Sequence, residues 1–146
     1  MEKIMNIVRF LLPKSSVVYL YSDATVRQAI EKMRFHHYVA LPILDKDGRY
    51  LGSIRNDDIY KYFQENGKFD YKAAERDGVM KILDSNYSKP LYHSAPIDDM
   101  IEYVKEHNFV PVVDDRGCFI GIILRRDVLG FLFNYYKKNE AEKTEV

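Results

Sequence analysis

Apolar residues along this chain alternate between helical and strand spacing. Val26, Ala29, Ile30 and Met33 recur at i, i+3, i+4 and i+7 behind Thr25-Val-Arg-Gln28. That is one face of a helix opened by a capping box. Val17–Tyr21 ahead of it is β-rich, and Tyr38–Leu44 behind it reads as an apolar strand. Asp45-Lys-Asp-Gly48 has hairpin-turn chemistry, so a second strand follows and ends at Arg55, before a helix over Asp57–Asn66. The order is βαββα.

The same pattern is then written again. Leu41–Ile59 aligns with Val110–Val128 at an offset of 69, keeping Pro42/Pro111, Asp45/Asp114, Gly48/Gly117, Gly52/Gly121 and Asp58/Asp127 in one frame. Upstream the offset is 71. Val26, Ala29, Ile30 and Met33 pair there with Ile97, Met100, Ile101 and Val104, and Val8, Leu11 and Leu12 with Val79, Ile82 and Leu83. Pro96 suits the first position of the second copy's helix. The second hairpin turn is Asp114-Asp-Arg-Gly117, its following strand ends at Leu124, and a last helix runs over Asp127–Tyr136.

A unit of this size buries little core alone. The expected fold is therefore α/β (α+β), two βαββα units covering each other about an intramolecular pseudo-twofold. Residues 1–66 form the first unit with a leading amphipathic helix on Ile4, Ile7, Val8, Leu11 and Leu12. Residues 67–78 connect, with helix expected at Ala73–Arg76; 79–136 form the second unit; 137–146 are a charged tail expected to fray.

Composition narrows the function. With 47% apolar residues, 8 Phe and 12 Tyr in 146 residues, global disorder is excluded. Lys+Arg and Asp+Glu are both 22, so no overall basic field draws nucleic acid. Cys118 is alone, which excludes an internal disulfide or a Cys-rich zinc site. No apolar run reaches the roughly 18–20 residues of a membrane span. The start, Met1-Glu2-Lys3 with Asn6 and Arg9 in the following stretch, does not read as a signal peptide. The expectation is a cytoplasmic protein. His36, His37, His93 and His107 lack metal-site spacing, and no phosphate loop or nucleophile motif appears. A non-enzyme without a resident cofactor is expected.

The repeated Pro, Asp-x-x-Gly and Gly-x-x-x-x-x-Asp frame resembles the CBS domain, over about residues 8–134, and the chain is similar to a stand-alone CBS pair, or Bateman module. The resemblance implies an adenine nucleotide in clefts between the units, dimerisation through helices, and a regulatory role relayed to an effector protein. A narrower resemblance is to Firmicute CBS pairs that bind cyclic di-AMP, through Tyr38-Val-Ala-Leu-Pro42 and Arg125-Arg126. AMP, ADP and ATP are the other ligands considered. In the family a Thr or Ser usually ends the Gly-bearing strand. Arg55 and Leu124 stand there instead, which implies that one cleft is altered.

On that basis the candidate ligand contacts are as follows. Backbone of Ser16, Ala40, Leu41, Phe109 and Val110 would bind the base edge, and Val18, Tyr19 and Tyr38 would stack on it. Asp58 and Asp127 would bind ribose, and Arg55, Lys89, Arg125 and Arg126 phosphate. Each position also has a plainer reading: strand core, helix-end chemistry or solvated surface charge. The last helix, Val128–Tyr136, is rich in large apolar groups and offers a dimer surface. The competing reading of the whole chain is a ligand-free structural or dimerisation module.

Overall fold

The computed structural model describes residues 6–65 and 70–144. After one 3-10 turn at Ile7–Phe10 come β1 (Leu12–Pro13), β2 (Leu20–Tyr21), α1 (Val26–His36), β3 (Ala40–Leu44), β4 (Tyr50–Arg55) and α2 (Asn56–Glu65). α3 (Tyr71–Arg76) and a 3-10 turn at Val79–Lys81 lead to β5 (Leu91–Tyr92), α4 (Ile97–Val104), β6 (Phe109–Val113), β7 (Phe119–Leu124) and α5 (Arg125–Thr144). Each unit is βαββα.

Local chemistry explains the elements. Thr25 and Gln28 close the capping box of α1 in both directions, a device worth about 1 kcal/mol. α1 stops at His37, whose left-handed backbone (φ 58°) turns its N–H onto the Arg34 and Met33 carbonyls. The Asp45 carboxylate accepts from the Asp47 and Arg49 N–H groups, each at 2.9 Å. Asp114 does the same for Arg116 and Cys118. Gly48 and Gly117 supply the positive φ of the two turns.

The sheets are ordered β2-β3-β4 and β1-β7-β6-β5. β1 precedes the first unit but joins the second, with Leu12 opposite Ile122 and Pro13 opposite Gly121. The expected leading helix is therefore corrected: one 3-10 turn and a two-residue strand stand in its place, while Ile4 lies outside the described residues. Ile7 is buried with Met100, Val110 and Ile123 of the second unit. Reciprocally, Val79, Ile82 and Leu83 pack with Met33, Leu41 and Ile54 of the first. The units thus exchange leaders, so residues 79–83 complete the first core although the expected boundary gave them to the second. Isolated bridges Asn6–Pro96 and Thr25–Gly78 mark the same exchange.

The hairpin tips also meet. The Tyr50 N–H donates to the Gly117 carbonyl at 3.0 Å, and the Phe119 N–H to the Gly48 carbonyl at 2.9 Å. Beneath them Leu44, Phe119 and Ile122 form a shared core with Leu12, Val17, Tyr19, Tyr50 and Leu124. The tail differs from expectation too. α5 continues unbroken through Lys137 to Thr144, where i,i+3 pairs such as Glu140–Lys143 support a charged helix.

Candidate functional site

The shared core leaves a cleft of about 550 Å³ between the units, within the size range of small-molecule sites. The 3-10 turn at Lys14–Ser16 delivers Ser16, Val17 and Val18 to one wall, and the chain entering β3 brings Tyr38 and Ala40. Phe109 of β6 and Ile122 and Leu124 of β7 form the facing wall, with Leu12 of the exchanged leader beside them. The first unit and the second therefore contribute one side each. At the entries to β3 and β6 the Val39 and Asn108 carbonyls already accept the Asn56 and Arg125 N–H groups, at 3.1 and 2.9 Å.

One end of the cleft is cationic. β7 passes directly into α5, so Arg125 and Arg126 stand at the start of a 20-residue helix. The Arg125 N–H is taken by the Asn108 carbonyl at 2.9 Å, and the helix dipole there favours an anion. Arg125 is held in place: its Nε donates to the Val104 carbonyl at 2.8 Å and its Nη1 to Asn108 Oδ1 at 3.2 Å. Arg126 is 83% exposed, with Asp127 as a long-range partner at 3.9 Å. A fixed guanidinium beside a free one can fork onto phosphate oxygens.

A second, smaller cleft of about 240 Å³ shares Val39, Ala40, Asn108 and Phe109 with the first. It is lined further by Arg55, Asp57, Tyr87, Glu106 and His107. Arg55 is folded onto Asp58, with Nη2–Oδ1 at 3.0 Å and Nε–Oδ2 at 3.2 Å. The Asp58 carboxylate also accepts the Arg55 backbone N–H at 2.8 Å. Partial burial opposes the Arg55 charge, but the bonds and charge of Asp58, with Tyr87, outweigh it and hold the pKa above its usual value. His107 is shifted the other way: burial lowers its pKa, the Glu106 charge opposes this as the next largest influence, and the Arg55 and Arg125 charges add to the lowering.

The expected contacts therefore divide. Ser16, Val18, Tyr38, Ala40, Phe109, Arg125 and Arg126 converge on the larger cleft. The side chains of Leu41 and Val110 do not line it: both are fully buried, in the cores of opposite units, because they alternate away from Ala40 and Phe109 along their strands, and the contact expected of these two residues is through their backbone. Tyr19 turns into the shared core, edge-on to Tyr21 and Phe119. Lys89 is exposed, and its carbonyl accepts the Tyr103 hydroxyl. Asp127 is half-exposed in the first turn of α5. Arg55 lines the smaller cleft, while Asp58 is buried behind it and lines neither cleft.

Leu12, His37 and Asn108 also line the larger cleft and were missed. Leu12 needed the leader exchange, which has no signal in one sequence. His37 and Asn108 were findable as the residues just outside β3 and β6. Among the described residues no cluster of metal-ligating side chains occurs, and no helix is long and apolar enough to cross a membrane.

Comparison with known proteins places these observations in a family. Residues 8–65 and 89–134 match the family described as the CBS domain. An uncharacterised protein of Methanocaldococcus jannaschii, MJ1225, is 28% identical over 137 residues, covering 86% of this chain but only 49% of that protein. The crystal structure of Listeria monocytogenes CbpB in complex with cyclic di-AMP superposes with a TM-score of 0.79 at 19% identity, covering 90% of this chain and 97% of that one. The crystal structure of CBSX2 in complex with AMP gives 0.72 at 20%, covering 90% and 98%. At these identities the two structures speak for the fold.

Proposed function

The chain belongs to the CBS-domain family, and from that footing we propose that it is a non-catalytic adenine-nucleotide sensor. Its ligand lies in the larger cleft, with cyclic di-AMP the first choice and AMP, ADP or ATP next. The observation that carries this reading is the joining of an apolar slot to Arg125 and Arg126 at the start of α5. A purine sits between Val18, Tyr38 and Ile122, and its phosphate reaches the guanidinium pair. Asp127, one residue beyond, offers a carboxylate to ribose. CbpB and CBSX2, whose structures hold cyclic di-AMP and AMP, share the fold.

Sensing follows from the two-sided wall. A ligand bridging the units stabilises the spacing it fits best, and only such a differential preference shifts an equilibrium. The shift is read by an effector protein in the cytoplasm. The exposed Leu129 and Phe133 of α5 and Tyr60 of α2 supply a homodimer surface. A net charge of zero gives the chain no overall basic field to draw nucleic acid.

Calorimetry on nucleotide-free protein tests the proposal. Cyclic di-AMP or a mononucleotide binds well below millimolar, and adenosine more weakly. Arg125→Ala with Arg126→Ala removes charge-assisted bonds of about 1.5–3 kcal/mol each. Binding of the phosphate-bearing ligand then falls about a hundredfold or more, while adenosine binding changes little. Equal losses for both would show that the arginines do not meet phosphate. If no nucleotide binds, the sensor reading falls and a ligand-independent dimerisation module takes its place.

A further inference from the structure

The smaller cleft is the pseudo-twofold counterpart of the larger one, and its side chains have diverged in one direction. At the repeat offsets, Tyr87 takes the place of Ser16, His107 that of Tyr38, and Arg55 that of Leu124. Asn56 and Asp57 stand where the larger cleft has Arg125 and Arg126. An open apolar slot with two cations has become a slot filled by large side chains with a carboxylate at its rim.

The filling is continuous. The Arg55 guanidinium carbon lies 3.5 Å from the Tyr87 ring centroid, a close cation–π contact. The Tyr87 ring meets His107 at 4.8 Å, and His107 meets Tyr103 at 4.3 Å. Both ends are tied down. Asp58, whose side chain is only 5% exposed, holds Arg55, and the Tyr103 hydroxyl donates to the Lys89 carbonyl at 2.7 Å. We infer that Arg55, Tyr87 and His107, backed by Tyr103, are a built-in occupant of the smaller cleft, so that each chain takes nucleotide in the larger cleft alone. This rests on the nucleotide-sensing reading above and extends it to the number of sites.

What space remains is unsuited to a phosphate. Arg55 is the one arginine or lysine among the residues lining this cleft, and its charge is already matched by Asp58. Asp57 and Glu106 add exposed carboxylates at the edge. A nucleotide would have to displace Tyr87 from Arg55, and then face like charge.

Titration calorimetry with cyclic di-AMP and with AMP counts the sites. The unaltered chain binds one molecule, and Arg125→Glu with Arg126→Glu abolishes the signal. Restoring the twin's chemistry with Tyr87→Ser, Asn56→Arg and Asp57→Arg, while keeping the Arg55–Asp58 pair, raises the count towards two. Two sites on the unaltered chain, or one surviving the double Glu change, would overturn the inference. So would a single site in the triple variant with an unchanged melting curve. If the triple variant does not fold, the first two counts still decide. Absence of any nucleotide binding to the unaltered chain sinks the sensing reading itself, a different outcome from a count of two.

Discussion

Gly52 and Gly121 hold matching places in β4 and β7, with φ of 152° and 153°, yet they are constrained differently. A Cβ on Gly52 would meet the Leu83 side chain at 3.0 Å, which can shift, whereas one on Gly121 would overlap the Leu12 backbone carbonyl. Both alanine variants carry backbone strain of about 1–3 kcal/mol. Gly121→Ala adds overpacking of about 1–3 kcal/mol and parts β1 from β7, so urea denaturation should show it clearly the less stable of the two. His107 makes a second residue-scale prediction. Its pKa is lowered in the fold from 6.5, so the unfolded chain binds more protons as pH falls through that value. Its contribution to stability is complete above about pH 6.5 and is lost on acidification below it. The melting temperature of the chain should drop between pH 7.5 and 5.5, and His107→Gln should flatten that slope. An unchanged slope would place the proton uptake elsewhere.

At the scale of elements, the leaders carry the unexpected information. Ile7 is fully buried against Met100 and Ile123, although more than ninety residues separate it from either in sequence. Ile7→Ala should cost about 2–5 kcal/mol, and hydrogen exchange should speed first in α4 and β6 of the second unit rather than in the adjacent first. The repeat, the helix on Val26–Met33, both hairpin turns and the paired strands were legible because each is written by local spacing and turn chemistry. The leader was not. Ile7, Leu11 and Leu12 have apolar spacing that suits a helix equally well, and what settles them is pairing with β7 across the molecule. The same limit governs the site. Tyr38, Ala40 and Arg125-Arg126 were found through the family resemblance that Tyr38-Val-Ala-Leu-Pro42 and Arg125-Arg126 carry, since the repeat places Asn56 and Asp57 opposite the two arginines. Leu41 and Val110 were expected to act through backbone, and their side chains face the cores, while Leu12 entered the cleft only through the exchange.

For the whole molecule, reciprocal leaders pack the two units into each other rather than leaving two domains in series. Each core is finished by a segment that precedes the other unit: Val79, Ile82 and Leu83 for the first, Ile7 and Leu11 for the second. The arrangement explains how a unit with three short strands closes its core, a difficulty for any domain this small. It also fixes the relative placement of the walls that form the larger cleft, since β1 carries Leu12 into it from the far side. Two fragments of similar length separate this account from one in which each repeat folds on the segment before it. Residues 14–83 contain the first unit and the leader that covers it, whereas residues 1–77 contain the same unit with the leader that belongs to its twin. Circular dichroism should show a cooperative, if weakened, thermal transition for 14–83. It should show a broad or absent one for 1–77, which leaves the face of Met33, Leu41 and Ile54 uncovered. The reverse order would mean that the first unit's stability comes from its own leading residues, and that the exchange is incidental to the cleft it frames.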